Sequence, residues 1–75
     1  MTLDEFVSAF AAEFDETPED QFQADTEFKA LDEWSSLTAL SIIAMVDEQM
    51  DKTITGADIR SSKTIEDLFN LANSK

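Results

Sequence analysis

The chain has 75 residues, enough for one small domain, which buries only about 60% of the surface its unfolded form exposes and so has a thin core. It contains no cysteine and no histidine, which excludes disulfides, thiolate metal sites, thiol nucleophiles and the commonest general base, so a self-sufficient enzyme is not expected. Its 17 acidic residues against 5 basic ones give a formal net charge of -12, a field that repels nucleic acid and anionic membrane surfaces and steers toward basic patches on other proteins.

That charge lies beyond the ~2–8 that solubility asks of a small domain, which points to a recognition role for the acids. The basic residues are Lys29, Lys52, Arg60, Lys63 and Lys75, so residues 1–28 carry none. With 43% hydrophobic residues, including 6 Phe and 1 Trp, a packed core is expected in place of disorder. No stretch approaches the roughly 20 apolar residues that span a bilayer, and the opening MTLDEF lacks the basic start of a signal peptide. A cytoplasmic protein without membrane contact is expected. The carboxylates do not form a calcium loop, because the only glycine, Gly56, is followed by Ala57-Asp58-Ile59. No metal site is assigned.

Thr2 and Glu5 stand in capping-box spacing before Leu3, Phe6, Val7, Phe10 and Phe14, which share one stripe of a helix of about twelve residues. Residues 15–35 read as a long loop, with Asp15, Glu16, Pro18, Glu19 and Asp20 breaking the pattern. Phe22, Phe28, Leu31 and Trp34 predict that this loop is pinned onto the core, since four such side chains in water would be an aggregation hazard.

The second helix starts at Ser35 or Ser36 and runs to about Met50. On its wheel Ala39, Ile42, Ile43, Val46 and Met50 form one side, flanked by Leu40 and Ala44, and that side is expected to face the core. Thr38, Ser41, Glu48 and Gln49 lie opposite, with Met45 among them and Leu37 at the edge of the first turn. Leu37 and Met45, beside Asp47 and Glu48, therefore predict a partner-docking patch on the water-facing side. A short helical turn is predicted over Ala57–Arg60, and a last helix from about Thr64 with Ile65, Leu68, Phe69 and Ala72 on one face. Lys52 to Ile54 is the only segment briefly compatible with a strand. The fold class read from these elements is all-α: three main helices, one short helix and a long first loop.

Two serines at one helix start leave one surplus to capping, so Ser35 or Ser36 can cap while the other points outward. A helix start also favours a bound anion through its free N–H groups and dipole.

From Leu31 to Leu68 the chain resembles acyl carrier proteins, four-helix bundles with a long first loop. Their hallmark is Asp-Ser-Leu at the start of the second helix, where the serine takes phosphopantetheine. Here the tripeptide is Ser35-Ser36-Leu37, followed by the apolar run through Val46, the acidic Asp47-Glu48, Ile54, and Thr-Ile-Glu-Asp-Leu at 64–68 opening the last helix. The first helix and its loop agree in length and character.

The resemblance implies covalent phosphopantetheine on Ser36, with its thiol holding an acyl group as a thioester. It implies docking through Leu37, Ser41, Met45, Asp47 and Glu48 to a phosphopantetheinyl transferase and to acyl-handling synthases and transferases with basic patches, the carrier itself acting as a monomer. It also implies an acyl pocket, for which Ile43, Val46, Ile54, Ile59 and Leu68 are the candidate lining. Three departures stand out: Ser35 replaces the family's Asp, Thr38 and Ser41 occupy positions often acidic, and Trp34 precedes the motif where a small residue is common. They imply a specialised carrier serving one pathway or one loading enzyme. An amino acid cargo, as on D-alanyl or peptidyl carriers, would use the same arm, although peptidyl carriers usually show Gly-Gly before the serine. An unmodified acidic docking module of the same fold is the remaining alternative.

Overall fold

Three threonines start three of the four helices. The computed structural model describes the whole chain, Met1–Lys75, and contains α1 (Leu3–Ala11), α2 (Ser36–Met50), α3 (Gly56–Ser61) and α4 (Ile65–Asn73), with no strand. Thr2, Thr55 and Thr64 cap α1, α3 and α4, each in a reciprocal box with an acid three residues on: Glu5, Asp58 and Asp67. These boxes satisfy N–H groups that a helix start otherwise leaves unpaired. α1 is shorter than its sequence stripe implied. It ends at Ala11, and the chain turns after the Ala12 cap while Phe14 still reaches the core.

The core is aromatic at one end and aliphatic at the other. Phe10 of α1 is its hub, with ring centroids of Phe6, Phe14, Phe22, Phe28 and Trp34 at 6.2, 5.6, 6.1, 5.3 and 6.4 Å. Offset and edge-on pairs of this kind add to what area burial contributes. Ile42, Val46, Ile54, Ile59, Ile65 and Leu68 complete the buried cluster. Fully burying one such side chain stabilises by roughly 1.5–3 kcal/mol.

The long first loop is pinned to that core, as its apolar residues implied. Phe22 and Phe28 are buried, and Leu31 and Trp34 are half-buried against the same cluster. It is not featureless: two single 3₁₀ turns, Glu19–Gln21 and Phe28–Ala30, set the spacing of its aromatic anchors. Its carbonyls also serve α4, since the Ile65 and Glu66 N–H groups donate to Thr26 and Ala24 oxygens at 3.2 and 2.9 Å.

α2 lies rotated from its wheel reading. Its buried residues are Thr38, Ile42, Met45 and Val46, a stripe with helical spacing. Met45, expected on the water-facing patch, is 5% exposed, and Thr38 is 9% exposed. Leu40, expected to flank the core, is 62% exposed, and Ala44 is exposed as well. Apolar residues lie nearly all round this helix, so periodicity alone does not choose a face. Thr38 is buried on the observed face with its hydroxyl paired, donating to the Glu33 carbonyl at 3.1 Å. No helix of the protein is long and apolar enough to cross a membrane.

Candidate functional site

The two serines at the start of α2 have separate tasks. Ser35 is the cap: its backbone is extended, and its hydroxyl oxygen accepts the Thr38 N–H at 3.3 Å and lies 3.1 Å from the Thr38 hydroxyl. Ser36 is the first helical residue, exposed, and its hydroxyl takes part in none of the protein's side-chain hydrogen bonds. That leaves a primary hydroxyl free at a helix start, where the macrodipole amounts to roughly half a positive charge. No other helix start is so placed. The first turns of α1, α3 and α4 hold Asp4 and Glu5, Asp58, and Glu66 and Asp67, whereas that of α2 holds no acid.

Glu33 fixes the approach to this site. Its carboxylate accepts the Asp15 N–H at 2.9 Å, the Glu16 N–H at 3.1 Å, the Thr17 N–H at 2.9 Å and the Thr17 hydroxyl at 2.7 Å. The Thr17 hydroxyl foremost holds its carboxyl below the usual glutamate value; desolvation opposes this, and the three backbone donors add to the lowering. Residues 15–17 are thereby tied to the segment that enters α2, and the Glu33 carbonyl is left to receive Thr38. This clamp joins parts of the chain 16–18 residues apart and leaves no local signature in the sequence.

On one side of α2 runs a groove of about 600 Å³, lined by Trp34, Ser35, Ser36, Ala39, Leu40 and Ile43, and across from them by Lys29, Gly56, Ile59 and Arg60. Lys29 Nζ donates to the Arg60 carbonyl at 2.8 Å, joining the loop to α3. The Arg60 side chain folds over Gly56, where a Cβ would sit 3.3 Å from Nη1. On the other side of α2 lies a smaller depression with Glu13, Asp15, Glu33, Ser35, Leu37, Thr38 and Ser41 on its walls. Ser36 stands on the cationic side and Leu37 on the acidic one.

Of the residues assigned to docking, Leu37 is 74% exposed, and Asp47 and Glu48 are exposed along the same helix. Ser41 is half-buried and donates to the Leu37 carbonyl at 3.3 Å. Met45 does not belong to that surface. Its place is taken by Leu40, with Ala44 beside it, so the exposed apolar strip of α2 is Leu37, Leu40 and Ala44. Comparisons with protein-family models, characterised proteins and solved structures find no match to this chain.

The five residues assigned to an acyl pocket lie in or against one cluster, but only Ile43 and Ile59 reach the groove. Val46, Ile54 and Leu68 are closed into the core and line no cavity. A chain entering between them would have to part packed side chains, whereas the groove is open already. Lys29, Trp34 and Arg60 are the site residues that sequence reasoning missed. The one available signal was that Lys29 and Arg60 are two of only five cations in a strongly acidic chain.

Proposed function

We propose that this protein is a carrier of thioester-linked acyl groups, with an acyl-carrier-like bundle and Ser36 as the attachment point of a covalent phosphopantetheine arm. It passes its cargo between partner enzymes of a fatty-acid or specialised polyketide- or lipid-type biosynthesis, in the cytoplasm and as a monomer. The observation that carries the reading is the division of labour at the start of α2: Ser35 alone meets the capping need, and Ser36 is left exposed with its hydroxyl free.

The residues present fit such an arm. Ser36 offers an unhindered oxygen at a helix start free of acids, where a phosphodiester anion is favoured. The groove beside it offers apolar wall and positive charge. The arm supplies a thiol, which the chain itself lacks. The chain's own part is to hold Ser36 outward and to present α2. Leu37, Leu40 and Ala44 offer apolar contact, while Asp47 and Glu48 meet basic patches on the transferase and on acyl-handling enzymes.

The test is intact-protein mass spectrometry after co-expression with a broad-specificity phosphopantetheinyl transferase. Wild type and Ser35→Ala are expected to gain the mass of one phosphopantetheine, and Ser36→Ala none. A gain in Ser36→Ala would move the site. No gain in any chain, with the transferase shown active on another carrier, would favour the unmodified docking module.

A further inference from the structure

The groove between α2 and α3 departs from the rest of the surface in its charge. The chain carries 17 acids among 75 residues, yet none of them lines this groove, and two of its five cations do. Neither cation is neutralised. The protein's one ion pair within 4.0 Å joins Lys75 to Asp58. The Lys29 ammonium meets only the neutral Arg60 carbonyl and, 6.0 Å from its centroid, the Phe28 ring over which it lies, which leaves donor protons to spare.

We infer that this groove binds an amphiphilic organic phosphate, its head between Lys29 and Arg60 and its apolar chain along Trp34, Ala39, Leu40 and Ile43. The charges select the head group. Two uncompensated cations, with roughly half a charge from the start of α2, call for more than the single charge of a carboxylate. A phosphate monoester carries about -1.5 to -2 at neutral pH and meets that demand. The walls select the rest of the ligand: five of the ten lining residues are hydrophobic, and the volume of about 600 Å³ lies within the ~300–1,000 Å³ typical of small-molecule sites. The overall charge of -12 repels an approaching anion, but salt screens that field over about 8 Å at physiological strength, so contact with the groove's cations decides the affinity and the net charge mainly slows arrival. The inference rests on the groove alone and concerns the chain with no arm on Ser36.

Trp34, the only tryptophan, lines the groove and reports its occupancy. The chain expressed without a transferase is titrated with octyl phosphate, octanol and octyltrimethylammonium, following Trp34 fluorescence and backbone amide shifts. Octyl phosphate is expected to bind saturably below its micelle concentration. Octanol should bind about a hundredfold more weakly, the effect of losing two charge-assisted contacts, and the cation should not bind at all. Lys29→Gln/Arg60→Gln should bring octyl phosphate down to the octanol affinity. Because both cations are exposed, the double variant is expected to fold normally, as its amide spectrum would show. Equal binding of octyl phosphate and octanol, no saturable binding of octyl phosphate, or full binding by the double variant would each overturn the inference. None of these outcomes depends on the mass measurement at Ser36, so either reading can fail without the other.

Discussion

Glu33 Oε1 accepts the Thr17 hydroxyl at 2.7 Å, and this contact between side chains 16 residues apart holds the first loop against the entrance to α2. Its carboxyl lies below the ordinary glutamate value in the folded protein, so the ionised form stabilises the fold. That contribution is fully present above the unfolded value and is lost as pH falls through the lowered folded value. Glu33→Gln, which replaces an acceptor oxygen with a donor facing backbone N–H groups, is expected to unfold at lower urea than wild type at neutral pH. The gap should shrink as pH drops below the ordinary glutamate range and close in strong acid. Urea midpoints across a pH series check this, and a gap independent of pH would remove the clamp from the account.

Ser35 and Ser36 are expected to separate stability from modification. Ser35→Ala removes a helix cap and should cost about 1 kcal/mol. Ser36→Ala, at an exposed position with no bond to lose, should stay within about 0.5 kcal/mol of wild type. Denaturant melts of the two, set beside their mass gains, give a crossed pattern: one variant weakened and modified, the other stable and unmodified.

The rotation of α2 is tested by truncating both faces. Met45→Ala empties a buried site and should cost about 2–5 kcal/mol, a large share of a small domain's stability. Leu37→Ala and Leu40→Ala, on the exposed strip, should change stability by under about 0.5 kcal/mol. The same two should slow modification by the transferase if the strip is the docking face. A harmless Met45→Ala would restore the register read from the wheel.

Asp51 ends α2 in the left-handed conformation, φ 55° and ψ 40°, where glycine is the usual residue. Asp51→Gly relieves that backbone and removes a negative charge from the negative end of the helix, next to Asp47 and Glu48. A gain of about 0.5 kcal/mol in urea unfolding is expected. A loss would mean that the Asp51 side chain contributes more than its conformation costs.

Helix starts were legible in this sequence because they are chemical. Thr2, Ser35 and Thr64 cap where a short polar residue precedes an apolar run, whereas Thr55, followed by Gly-Ala-Asp, carries no such signal, and the pinned loop followed from four large side chains that water would not tolerate. The face of α2 was not legible. Leu37 and Leu40 are exposed, Ile43 is half-buried and Met45 is buried, yet each is apolar enough for the core. With Met45 inward Thr38 is buried as well, and its hydroxyl donates to the Glu33 carbonyl, a contact visible only once the loop is in place. The groove was hidden for a related reason, since Lys29, Trp34 and Arg60 come from three segments that meet only in the folded chain.

The boxes at Thr2, Thr55 and Thr64 show a simple way to secure a helix start, and the longest helix does without it. α2 begins on one serine bond of 3.3 Å, with no carboxylate of its own to answer the backbone dipole. An anion arriving beside Ser36 would supply what the other three helices carry within themselves. Such an anion would add to the Ser35 cap, and the chain with an anion bound there is expected to resist heat better than the chain without one.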